Sequence, residues 1–211
     1  MTWWTNAEPG GPTRIKICGI RDHETAAAAI EAGAHAIGCV MAPGSPRTVT
    51  PSMAVELGER LSAPATIVGV FVDADVERTL LPWQPRWTQL HGREDASIAR
   101  MLEGPVIRAI PFDPDAIRIW DGHPRVDRLL IDSDRPGSGI PFDHDAFHEL
   151  RGTLRTPLIL AGGLSPETVG DAIERFAPWG VDVSSAVESS PGVKDTGLIR
   201  AFCEAVRDAD G

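Results

Sequence analysis

The chain has 211 residues, with 42% hydrophobic and 24% charged side chains, enough for one well-formed core and too apolar for a disordered segment. Its formal net charge of −10 excludes a general nucleic-acid binder, which needs a basic face. Any anionic ligand must therefore be held by local groups and not by the field of the whole molecule.

Three cysteines, Cys18, Cys39 and Cys203, lie far apart and match no CxxC metal or redox spacing. The opening stretch MTWWTNAEPGGP is too short and too broken by Pro and Gly to read as a signal peptide, and no apolar run is long enough for a membrane span. Reduced thiols, a cytoplasmic location, and no nucleic-acid or membrane partner are expected. No metal-ligand spacing is present, and no metal is expected. Residues 1–13 read as an N-terminal arm that carries Trp3-Trp4, and 14–211 as one domain.

Short β-branched runs alternate with Ala-, Glu- and Arg-rich segments along the whole chain. The first predicted strand, Arg14–Cys18, leads to a helix near 22–32 and a second strand, Ala36–Val40. A helix near 51–62, a strand at Thr66–Val72 and a helix near 75–81 follow. Next come a strand at Trp87–Leu90, a helix near 94–103, a strand at Val106–Ile110 and a weaker helix within 112–122. The rest reads as strand Arg128–Asp132, helix 143–151, strand Leu158–Ala161, helix 165–176, strand Val181–Ser184 and helix 195–208. Eight strands with helical crossovers imply a parallel sheet. An open doubly wound sheet usually carries GxGxxG after its first strand, whereas here that strand ends Cys18-Gly19-Ile20. A single-domain α/β fold, a (β/α)8 TIM barrel with its site at the C-terminal ends of the strands, fits better.

Those strand ends carry the candidate chemistry. Lys16 and Cys18 alternate onto one face, and an ammonium there should favour the thiolate and lower the cysteine pKa. A small buried core thiol is the competing reading, and it is the one given to Cys39 and Cys203. Only two lysines occur, Lys16 and Lys194, against eighteen arginines, so a lysine at an inward strand position stands out. The proline-stiffened loop 41–48 holds Arg47, whose guanidinium suits a carboxylate, although a solvated surface arginine would read the same. Gln89 and His91 form a polar pair at the fourth strand end. Asp132 emerges from an apolar run, where burial would raise its pKa toward that of a general acid. The segment 133–139 reads as a lid or anion-contacting loop. Gly162 and Gly163 precede Ser165, an expected N-cap, and Ser185 and Ala186 follow the last strand. Loops after strands seven and eight are a recurrent phosphate site of this fold.

The stretches KICGI at 16–20, EAGAHAIGCVMAPGSPR at 31–47, VGVFVD at 68–73, QLHG at 89–92, LLID at 129–132, LILAGGLSPETV at 158–169 and GVDVSSAVESSPGVKD at 180–195 together resemble phosphoribosylanthranilate isomerases of tryptophan biosynthesis. The resemblance implies a cofactor-free Amadori rearrangement of N-(5'-phosphoribosyl)anthranilate, with Cys18 as base and Asp132 as acid. It implies that Arg47 holds the anthranilate carboxylate and that Asp182 orients the amino sugar, with Lys16, Gln89 and His91 also lining the substrate. The phosphate would rest on Gly162, Gly163, Ser185 and Ala186, and the protein would act as a monomer or homodimer on a small phosphorylated molecule.

The chain departs from the family pattern at Ala186, where Gly is usual, at Cys39, often Phe, and at His144, often Trp. A methyl at position 186 would cost on the order of 1 kcal/mol if the backbone there needs positive φ. The histidine-pathway isomerase, or a dual-substrate version, is the nearest alternative, but those enzymes carry Asp where this chain has Cys18. A phosphate-binding barrel without turnover is the other alternative, and Ala186 is its only support. The Lys/Glu set of an indole-glycerol-phosphate synthase is not found.

Overall fold

A computed structural model describes residues 11–61, 65–73, 83–132 and 144–211. Eight parallel strands close into a barrel in sequence order: β1 (Arg14–Cys18), β2 (Ala36–Val40), β3 (Thr66–Phe71), β4 (Trp87–Leu90), β5 (Val106–Pro111), β6 (Arg128–Asp132), β7 (Leu158–Ala161) and β8 (Gly180–Val183). Between and after them lie α1 (His23–Glu31), α2 (Pro51–Arg60), α3 (Ala96–Met101), α4 (Pro114–Trp120), α5 (His144–Arg151), α6 (Val169–Phe176) and α7 (Thr196–Asp210). The expected (β/α)8 architecture is the one observed, with strand ends within a residue of those read from sequence. The helix expected over 75–81, the 133–139 loop and the Trp3-Trp4 arm lie outside the described residues.

Strand alternation builds two apolar layers. In β1, Ile15 and Ile17 face outward into the layer under the helices, while Cys18 joins Ala36, Val40, Val68, Val70, Ile107, Leu130 and Ile159 inside the barrel. Burying an aliphatic side chain such as Ile17, fully inaccessible, contributes about 1.5–3 kcal/mol. At the N-terminal end of the barrel the Arg128 guanidinium stacks on Trp179, 4.2 Å from its ring centroid, and on Trp87 at 5.6 Å.

Side-chain caps fix several of the helix starts. Asp22 accepts from the Thr25 N–H at 2.8 Å to open α1, and Asp195 accepts from Gly197 and Leu198 to open α7. One helix departs from expectation. The Ser165 side chain accepts from the Glu167 N–H at 3.3 Å and so caps a turn, and α6 begins only at Val169. The helix N-terminus expected beside the paired glycines therefore stands several residues further along.

Two short strands are also unanticipated. After a single 3-10 turn at Ser185–Val187, β9 (Glu188–Ser190) and β10 (Val193–Lys194) form an antiparallel hairpin. Its turn reaches back over the β2 loop: a Cβ placed on Gly192 would lie 2.5 Å from the Pro46 carbonyl oxygen. No helix among the described residues is long and apolar enough to cross a membrane.

Candidate active site

The strand register sets the centre of the site. Lys16 pairs with Asp182 on β8, and Cys18 pairs with Gly38 on β2. Lys16 is fully buried and donates from Nζ to Asp182 Oδ1 at 2.8 Å. An uncompensated ammonium in that position would cost several kcal/mol, so the ion pair is a condition of the fold as well as a feature of the site. Burial alone would lower the Lys16 pKa, but Asp182, and after it Cys18, outweigh burial and hold the ammonium charged.

Gly38 makes room for this arrangement. A Cβ at that position would sit 2.9 Å from Cys18 Sγ and 3.1 Å from Lys16 Nζ, so only hydrogen fits between the strands there. The thiol itself corrects one expectation. Burial raises its pKa more than Lys16 lowers it, and the Asp182 carboxylate adds to the upward push, so the net direction is up. Lys16 does act on the thiol, as the spacing implied, but burial outweighs it and the ammonium is itself bonded to Asp182 at 2.8 Å. Cys39 and Cys203 are fully buried among apolar neighbours, and burial pushes both thiols up to about 12. They are inert core cysteines, as read from the sequence.

Arg47 sits at the edge of this centre. Its loop is held by a parallel bridge between Val40 and Thr48 and by the Arg47 N–H donating to Ser45 Oγ at 3.2 Å. The side chain crosses the end of β1, since a Cβ on Gly19 would lie 2.6 Å from Arg47 Cδ. Its guanidinium donates from Nε and Nη2 to the two oxygens of Glu188, both at 2.7 Å. Lys194 Nζ donates to Glu188 Oε1 at 2.8 Å and to the Ser184 carbonyl at 2.8 Å. Burial disfavours charge on Glu188, yet the bonds from Arg47 and Lys194 prevail and bring its pKa down to about 2.

Across the mouth, Gln89 Nε2 lies 3.1 Å from His91 Nδ1, and His91 Nε2 lies 3.7 Å from Asp132 Oδ2. Gln89 is fully buried, and its Oε1 finds no donor among the described residues. Asp132 is half-buried, with its side chain 29% exposed, so it stands at the rim and not in the apolar interior that the sequence implied. The loop that carries His91 is fixed by Glu94, which accepts from the N–H groups of Asp73 and Gly92, each at 2.7 Å.

At the ends of β7 and β8 the backbone is open. Gly162 and Gly163 have φ of 77° and 65°, a conformation that favours glycine, and a Cβ on Gly163 would meet nothing within 4 Å. No hydrogen bond among the described residues uses the N–H groups of Gly163, Ser185 or Ala186. Ala186 lies in the 3-10 turn and is not among the non-glycine residues with positive φ, which among the described residues are Asp73 and Ala177. Its methyl therefore costs no backbone strain. Ser184 Oγ donates to the Cys18 carbonyl at 3.2 Å, tying this turn to the end of β1.

Apart from Lys16, the middle residue of β1, the site residues expected from sequence thus lie at or next to a C-terminal strand end or in the loop after it. Sequence reasoning missed Gly38, Ser184, Glu188 and Lys194, and Glu94 behind them. Lys194 carried a usable signal as the second of only two lysines. Among the described residues no group of three His, Cys, Asp or Glu side chains could hold a metal ion.

The family model of N-(5'phosphoribosyl)anthranilate (PRA) isomerase matches residues 15–205. The chain is 40% identical over 203 residues to the N-(5'-phosphoribosyl)anthranilate isomerase of Leptothrix cholodnii, covering 94% of this chain and 92% of that one. Among solved structures, phosphoribosyl anthranilate isomerase from Thermotoga maritima superimposes with a TM-score of 0.83 at 34% identity, covering 93% of this chain and 99% of that one. A phosphoribosyl anthranilate isomerase in complex with reduced 1-(o-carboxyphenylamino)-1-deoxyribulose 5-phosphate is similar at 32% identity and a TM-score of 0.81, with 93% and 99% of the two chains covered. With a family match that runs from β1 into α7, this chain belongs to the phosphoribosylanthranilate isomerase family.

Proposed function

We propose that the chain converts N-(5'-phosphoribosyl)anthranilate into 1-(2-carboxyphenylamino)-1-deoxyribulose 5-phosphate, a step of tryptophan biosynthesis. The supporting observation is a thiol and a carboxylate at two strand ends of one barrel mouth, three strands apart around the closed sheet. A proton delivered by Asp132 to the furanose ring oxygen lets the C1′–O bond break, and the anilino nitrogen takes up the positive charge as an iminium. The Cys18 thiolate then removes the C2′ proton, giving an enolamine. Return of the proton from Cys18 to C1′, with loss of the 2′-hydroxyl proton to the Asp132 carboxylate, yields the ketose and restores both groups, so the reaction is an isomerisation that consumes no co-reactant and uses no cofactor.

Lys16 and Asp182 have separate parts in this reading. Lys16 offsets the charge of the thiolate from the buried side, and Asp182 keeps that ammonium in place while orienting the amino sugar. Gln89 and His91 line the sugar, and Arg47 takes the anthranilate carboxylate. The phosphate rests on the amides of Gly162, Gly163, Ser185 and Ala186, which are neutral dipoles and so suit an acidic protein. The enzyme works in the cytoplasm, as a monomer or homodimer.

Incubation with N-(5'-phosphoribosyl)anthranilate, followed by NMR, should show the anomeric C1′ proton replaced by a methylene signal. The histidine-pathway aminoaldose substrate serves as the parallel arm. Conversion of the second substrate alone would transfer the chain to the rival activity. Binding of both without conversion would leave only a phosphate-binding barrel.

A further inference from the structure

An arginine offers five N–H donors in a rigid fork, and a carboxylate can take them from the side, through Nε and Nη2, or from the end, through Nη1 and Nη2. Glu188 occupies the side position on Arg47, at 2.7 Å for both bonds. No hydrogen bond among the described residues uses Arg47 Nη1, and the side chain keeps 24% of its surface exposed. Glu188 itself is nearly inaccessible, with its side chain 3% exposed, and is fixed by Lys194 and by the Gly192 N–H at 3.2 Å.

We propose that Glu188 is a positioning residue that makes the site selective for a carboxylate-bearing substrate, by holding Arg47 from the side so that its end-on fork is left for the substrate. This rests on the proposed activity and deepens it. Two consequences separate it from simple charge neutralisation. A glutamate that merely blocked Arg47 would have to be displaced by substrate, and its removal would tighten binding. A glutamate that aligns the fork gives the opposite result. The β9–β10 hairpin and the β2 loop then have a shared task, since Glu188 opens the hairpin and Arg47 closes the loop, and Gly192 packs on Pro46 where the two meet.

The test compares two substrates, N-(5'-phosphoribosyl)anthranilate and N-(5'-phosphoribosyl)aniline, which lacks the carboxylate. The quantity read is the ratio of their kcat/KM values. Glu188→Gln removes one charge-assisted hydrogen bond and is expected to lower that ratio roughly 10-fold or more, mainly through KM of the carboxylate substrate. Glu188→Asp keeps the charge but shortens the reach, and must lower the same ratio, which covers the case in which the glutamine variant does not fold. Arg47→Lys should lower it too, and the double variant with Glu188→Gln should be no worse than Arg47→Lys alone. An unchanged ratio, with both substrates impaired alike, would show a structural role only and overturn the inference. A raised ratio would show that Glu188 blocks Arg47, and would overturn it as well. Failure of the unaltered enzyme to turn over either substrate would instead refute the proposed activity.

Discussion

Gly38→Ala perturbs the centre of the site without replacing any group assigned to the chemistry. The added methyl would lie 2.9 Å from Cys18 Sγ, 3.1 Å from Lys16 Nζ and 3.2 Å from Cys18 Cα. Ordinary carbon contacts lie at about 3.5–4.0 Å, so the neighbours must retreat by roughly half an ångström or more. Lys16 cannot swing aside freely, because its ammonium is held at 2.8 Å by Asp182 in a fully buried position. The Cys18 backbone is fixed by the β1–β2 ladder, so the displacement falls on the thiol. Overpacking of this kind costs about 1–3 kcal/mol of stability. A reacting atom moved by a large fraction of an ångström can lose on the order of 10²-fold in rate. The assay pairs thermal unfolding with kcat and KM on N-(5'-phosphoribosyl)anthranilate. The expected outcome is a folded protein of lower Tm with kcat down roughly 10²-fold and a smaller change in KM. Unaltered kcat in the folded variant would refute the placement of Cys18 as a base held between Lys16 and Gly38.

Further outcomes follow from the same geometry. The Cys18 thiolate, titrated by its ultraviolet absorbance, should appear above the ordinary thiol value of about 8.5, and Asp182→Asn should move it downward by releasing Lys16 to the thiol; a midpoint near neutrality in the parent enzyme would contradict the burial argument. Asp132→Asn should lower kcat by roughly 10²–10⁴ while substrate still binds, and wild-type turnover would remove Asp132 from its role. Ala186→Gly should leave phosphate binding unchanged, because Ala186 is not at positive φ; tighter binding would show that the methyl intrudes on the phosphate. Burial, with the nearby Arg14 charge, holds His35 neutral down to about 4. Because the unfolded chain takes that proton first, His35 contributes stability above about pH 6.5 that is lost as pH falls toward 4, on the order of 2 kcal/mol after solvent screening. His35→Gln should flatten the stability profile across that window in denaturant titrations, and an unchanged slope would contradict it.

The strands were legible because their signal is strong and local: short runs rich in β-branched and apolar residues between turns, as in RIKIC or VIRAIP. Inward and outward faces followed from alternation alone, which is why Lys16 and Cys18 could be placed together. The α6 boundary was not legible. Ser165 followed by Pro166 has the composition of a helix start, and both a capped turn and a helix satisfy it. Within the site, sequence showed single strand ends but not the contacts between them. The Arg47–Glu188 pair spans 141 positions, so nothing local in either segment marks it. The sign of the Cys18 shift was also hidden, since it depends on burial and on the Asp182 carboxylate brought beside it from another strand. Gly38 is visible in the sequence as a glycine inside a strand, a pattern that often marks a close approach. What it approaches appears only when β1 and β2 are in register.

The account rests most heavily on Cys18 as the group that removes the C2′ proton. Single-turnover conversion of N-(5'-phosphoribosyl)anthranilate by Cys18→Ala, beside the unaltered enzyme and at saturating substrate, tests it most directly. The predicted result is a rate constant lower by roughly 10²–10⁴ with substrate affinity retained. Conversion at the unaltered rate would contradict the account, because no other described thiol is accessible: Cys39 and Cys203 are both fully buried.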